Sequence, residues 1–108
     1  RQEGAAAESK ALARVIYSEH AVRDFERIIE LSLEAFPSSV LSVVEDIKGA
    51  VSILERHPLI GRRRDATRRE LVISKGRVGY IAMYRYDFTR DVVFVLRIRH
   101  QREAGFTG

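Results

Sequence analysis

At 108 residues, with 45% hydrophobic content and no cysteine, the chain can bury one modest core, and disulfides and thiolate metal ligands are excluded. Its net charge of +4 is laid down unevenly: residues 18–55 hold eight acidic groups against Arg23, Arg27 and Lys48, whereas residues 56–77 hold eight basic groups against Asp65 and Glu70. An acidic half followed by a basic half favours an anionic partner, nucleic acid or acidic peptide, through long-range attraction that salt weakens.

No apolar run approaches the ~20 residues that span a bilayer, and the first residues lack the apolar stretch of a signal peptide, so the expectation is a cytoplasmic protein with no membrane partner. Residues 1–11, small and polar without an apolar period, are expected to be a disordered tail ahead of a single domain over 12–108.

The run "LARVIY" is of strand type, and Ser18 after it is placed to cap a helix. From Glu19, the residues Val22, Phe25, Ile29, Leu33 and Phe36 recur at three- and four-residue steps and predict an amphipathic helix. Pro37 stops it. A second stripe, Val40, Val44, Ile47, Val51 and Leu54, predicts a second helix that "RHP" ends. Two stripes joined by a short turn make an antiparallel helical hairpin that needs a flat partner.

"RELVIS" and "GRVGYIAMYRYD" alternate as strands of a hairpin whose tip is Ser74–Gly76. The last strand, "DVVFVLRIRH", has a period that sets Val92, Phe94, Leu96, Ile98 and His100 on one face and Val93, Val95, Arg97 and Arg99 on the other. The expected architecture is α+β: an N-terminal strand, a helical hairpin, then a three-strand antiparallel meander, with both helices on one face of a small antiparallel sheet.

This order, together with "YSEHAVRDFERI", "HPLIGRRR", "RELVI", "YIAMYRYD" and "VLRIRHQRE", resembles the RelE/ParE family of bacterial type II toxin–antitoxin toxins, which includes the plasmid stabilisation toxins, over residues 12–106. The resemblance implies a toxin neutralised by a cognate antitoxin, with Arg62, Arg69, Arg97, Arg99 and Arg102 as candidates for binding antitoxin or target.

The family divides by target. Members resembling RelE cleave mRNA on the ribosome, which calls for a base, cations and an acid around one phosphate. Arg85, His100, Arg102, Tyr84 and Arg69 are the candidates here, and His100 alone has an unperturbed pKa near the working range. Against this, Ile81 stands where the ribonucleases resembled carry a catalytic arginine, and "HQREAGF" holds no tyrosine. Both departures resemble ParE, whose members poison DNA gyrase by binding. The favoured expectation is a gyrase-directed toxin; a ribosome-dependent endoribonuclease and a non-toxic antitoxin-binding module remain alternatives. No catalytic residue, metal or cofactor is assigned. His100 also reads as a histidine at the core rim, Tyr80, Tyr84 and Tyr86 as core and rim, and His20 and His57 join no ligand set. An uncovered apolar rim makes a homodimer of the isolated chain a further expectation.

Overall fold

The computed structural model describes residues 12–75 and 78–101. The expected tail, Gly76 at the hairpin tip and Arg102 lie outside the described residues. Strand β1 is Arg14–Tyr17. Helix α1 spans Glu19–Ala35, and a 3-10 turn over Pro37–Ser39 leads into helix α2, Val40–Ser52. Then follow β2 (Arg62–Arg63), β3 (Arg68–Lys75), β4 (Val78–Asp87) and β5 (Val92–His100). The strands form one sheet in the order β1-β5-β4-β3-β2.

Two features differ from expectation. The sheet is mixed, because β1 lies parallel to β5, and the two-residue β2 adds an antiparallel edge outside β3. The connection from β1 to β5 contains the whole helical hairpin and strands β2, β3 and β4, and that long excursion lets the chain return parallel to its first strand. Ser74 and Lys75, expected at the hairpin tip, pair with Gly79 and Val78 as part of the ladder.

Both helices cover one face of the sheet. Tyr80, Ala82 and Tyr84 of β4 meet Ile73, Val93, Val95 and Ile98 there, under Ala21 and Ile28 of α1 and Ile47, Val51 and Leu54 from α2 and the turn after it. Burying each large aliphatic side chain of this set stabilises the fold by about 1.5–3 kcal/mol.

The stripe of α1 is rotated relative to the sequence expectation. Ala21 and Ile28 are its buried residues, whereas Leu33 and Phe36 stand exposed. Val22 and Ile29 instead line a second groove together with Tyr17 of β1 and Val44 of α2. The second stripe is confirmed at Ile47, Val51 and Leu54.

Ser18 caps α1 as expected: the Ala21 N–H donates to its Oγ at 3.1 Å. The same hydroxyl donates to the Leu96 carbonyl at 3.0 Å, tying the helix start to β5. That contact marks a β-bulge. Met83 pairs with Arg97 but Tyr84 pairs with Val95, so Leu96 is the extra residue. The bulge breaks the expected two-residue period of β5. Val93 and Val95 face the helices before it, and Ile98 and His100 face them after it; Val92, Phe94, Arg97 and Arg99 occupy the other face.

Candidate functional site

The bulge is held from α1. β1 ends at Tyr17, opposite Val95, which leaves the outer edge of β5 bare from Leu96 onward. Ser18 and Asp24 take over where the ladder stops: the Ser18 N–H donates to the Val95 carbonyl at 2.9 Å and its hydroxyl to the Leu96 carbonyl, and Asp24 Oδ2 accepts from the Ile98 N–H at 2.9 Å. Arg97 completes the arrangement by donating from Nε to Asp24 Oδ2 at 2.8 Å and from Nη2 to Oδ1 at 3.3 Å. A charge-assisted two-toothed contact of this kind fixes a guanidinium in place. Arg97 therefore has a structural duty besides any contact it makes with a partner, and Asp24 was not distinguishable in the sequence from the other carboxylates of α1.

Among the described residues no helix or strand packs on the sheet face away from the helices, here called the open face, and it is rich in arginine. Arg14 of β1, Arg62 of β2, Arg68 of β3, Arg85 of β4 and Arg97 and Arg99 of β5 all project on this side, as their pairing partners require. Arg64 joins them by reaching Glu70 Oε2 at 2.5 Å, and Arg62 reaches Oε1 of the same carboxylate at 3.2 Å. Glu70 is buried. Burial works to raise its pKa, but the hydrogen bonds and charges of Arg64 and Arg62 outweigh it, so the carboxyl lies below its ordinary value.

The apolar residues of this face are largely covered. Ile81 is 7% exposed, Met83 3% and Val92 2%. Arginine guanidinium groups contribute to that cover: Arg68 Nη1 lies 4.0 Å from Met83 Sδ, and the Arg85 guanidinium carbon stands 4.6 Å from the centre of the Phe94 ring.

The remaining candidates lie elsewhere. Arg69 is on the helix side of β3, where its Nη1 donates to the carbonyls of Leu59 (3.0 Å) and Gly61 (2.9 Å) and pins the loop before β2. Tyr84 is fully buried, and its hydroxyl accepts from the Gly61 N–H at 2.8 Å. Burial raises its pKa, against a smaller opposing effect of that bond. Arg99 donates to the carbonyls of His100 and Gln101.

His100 packs on the helix side, with its ring edge-on to Tyr80 at 5.4 Å between centres. It helps line a groove of ≈ 540 Å³ between the two helices and the sheet, whose apolar wall includes Ile28, Leu31, Phe36, Val43 and Ile73. Among the described residues the ribonuclease candidates do not converge: Arg85 and His100 are on opposite faces of the sheet, and Tyr84 is sealed inside it. Of the binding candidates, Arg62, Arg97 and Arg99 share the open face and Arg69 does not. Among the described residues, no cluster of three or more metal-ligating side chains occurs.

Comparison with known proteins places this geometry in a family. The model described as the ParE toxin of type II toxin-antitoxin system, parDE, matches residues 15–105. Toxin RelE3 of Caulobacter vibrioides is 34% identical over 83 residues, which cover 77% of this chain and 88% of that one. Among solved structures, the chromosomal ParDE toxin–antitoxin system from P. aeruginosa superposes with a TM-score of 0.70 at 21% identity, covering 83% of this chain and 97% of that one. The toxin–antitoxin complex RelBE2 of Mycobacterium tuberculosis gives a TM-score of 0.52 at 28% identity, covering 83% and 99%.

Proposed function

The chain belongs to the RelE/ParE family of type II toxin–antitoxin toxins, and from that premise we propose that a cognate antitoxin neutralises it and that, when free, it acts by binding DNA gyrase. Two of the similar structures are toxin–antitoxin systems, which supports a proteinaceous antitoxin as partner. An antitoxin segment finds a complementary surface in the groove beside Tyr80 and His100, which takes its apolar side chains.

The observation that carries the non-enzymatic half of this reading is the separation of the ribonuclease candidates. Cleaving RNA by attack of a ribose hydroxyl requires acid, base and cation around a single phosphate. Arg85 and His100 have the sheet between them, and Tyr84, with 0% exposure, is out of reach of a substrate. Ile81, buried on the open face between Val72 and Arg99, supplies neither charge nor proton.

The 34% identity to a toxin named RelE3 favours the second reading, a ribosome-dependent endoribonuclease. Pulse-labelling of protein synthesis in the first minutes after induction without antitoxin separates the two. Continued labelling, with growth arrest and DNA-damage signalling, is the expected result. An immediate collapse of labelling refutes the gyrase reading and supports mRNA cleavage.

A further inference from the structure

The charge asymmetry of the sequence becomes a charge separation through the thickness of the molecule. The acidic residues 18–55 build the helical layer, with Glu19, Glu26, Glu30, Glu34 and Glu45 exposed on it. On the opposite side, seven arginines project from or reach onto the open sheet face, against two strand carboxylates, Glu70 and Asp87. Glu70 is shared between Arg62 and Arg64, so one charge answers two. Asp65 pairs with Arg68 and Asp24 with Arg97. Among the described residues, no carboxylate pairs with Arg14 or Arg85, which stand toward the β1 side of this face and at its middle.

We propose that the open sheet face contacts the phosphodiester backbone of duplex DNA, a reading that rests on gyrase, which acts on DNA, being the target. The protein would then grip its target as an enzyme–DNA complex, with the arginine face turned to the DNA and the acidic helical layer turned away by repulsion.

What favours DNA over an acidic peptide is the state of the apolar residues on this face. Ile81, Met83 and Val92 are covered, and Arg68 and Arg85 lie over Met83 and Phe94, so the centre of the surface presents guanidinium groups rather than pockets for apolar anchors. Large apolar side chains stand exposed on it at Ile16 on the β1 side and Val72 on the β3 side. A peptide held on a sheet face gains much of its affinity from buried anchors, whereas a polyanion gains it from neutralised phosphates and released counterions.

The test uses the purified full chain and a short labelled DNA duplex, followed by fluorescence anisotropy across a salt series, beside a gyrase supercoiling assay. The proposal expects duplex binding that weakens steeply with salt. The double variant Arg14→Gln/Arg85→Gln should bind more weakly, with a log–log salt slope shallower by about 2, since each phosphate contact contributes about 0.9. Glu30→Gln, on the helical layer, should leave the slope unchanged, and thermal melts show that each variant is folded. A double variant that is folded and binds with the wild-type slope overturns the proposal. Gyrase inhibition without duplex binding overturns it while leaving the gyrase reading intact. Duplex binding without gyrase inhibition supports the DNA contact and refutes gyrase as the target instead.

Discussion

Substituting Gly61→Ala tests how the loop before β2 is locked to the sheet. A Cβ at this position would lie 2.6 Å from both Cε1 and the hydroxyl of Tyr84, and 2.9 Å from the Glu70 carbonyl. None of these can retreat cheaply, because Tyr84 is fully buried and Glu70 O belongs to the paired strand β3. Overpacking of this kind costs about 1–3 kcal/mol, and displacing Tyr84 also strains the hydrogen bond from the Gly61 N–H, worth about 1 kcal/mol. A loss of about 3 kcal/mol in a domain of this size lowers Tm by about 12–24 °C. Thermal and urea denaturation of Gly61→Ala, Tyr84→Phe and the double variant check it. Tyr84→Phe alone should cost about 1–2 kcal/mol by leaving a buried N–H without its acceptor. In the double variant the clash with the hydroxyl is gone, so the two losses should fall short of additive. If Gly61→Ala melts within about 0.5 kcal/mol of the parent chain, the close approach of Gly61 to Tyr84 does not govern stability and the reasoning fails.

Ser18→Ala removes both the helix cap and the tie to the bulge, so it should destabilise by about 1–2 kcal/mol, measured by urea titration. Asp24→Ala removes the carboxylate that binds Arg97 and the Ile98 N–H and should cost about 2–3 kcal/mol; restoration of full stability by adding Arg97→Ala would contradict this, because the backbone N–H would still lack the Asp24 acceptor. Asp65 accepts a side-chain hydrogen bond from Arg68 and backbone bonds from Arg68 and Thr67, which hold its pKa at about 2 rather than the ordinary 3.8. Because the folded value lies below the unfolded one, its contribution to stability is present above pH 3.8 and is lost as pH falls through 2; an Asp65→Asn chain should show a flatter stability profile across that window in acid titration followed by circular dichroism.

Much of the fold was legible because the signals that specify its elements are local. The stripe of α2, the N-cap at Ser18 and the stop at Pro37 each depend on residues within a turn or two of one another, and each is found where the pattern predicts. The family was legible for a related reason: several short motifs occur in one order along nearly the whole chain, and the matched residues 15–105 coincide with that stretch. The candidate arginines were legible as a composition but not as a surface. Strand alternation sets Arg69 and its neighbour Arg68 on opposite faces, but only the structure shows Arg69 turned back to hold the loop at Leu59 and Gly61 while Arg68 projects onto the open face.

By itself the sequence determined the number and kind of the main elements, the acidic and basic halves, and membership of a toxin family, since periodicity, capping and charge order are properties of neighbouring residues. Tertiary structure alone decided which face each strand residue takes. The single extra residue at Leu96 inverts the alternation of β5, moving Val93 and Val95 into the core with Ile98 and His100 and turning Phe94 outward with Arg97 and Arg99. That inversion is stabilised by Ser18 and Asp24, more than 70 residues earlier in the chain. A bulge whose carbonyl and amide are satisfied by side chains so distant leaves no mark on the local pattern, and it is this bulge that separates Ile98 and His100 from Val92 and Phe94, which strict alternation would set on one face.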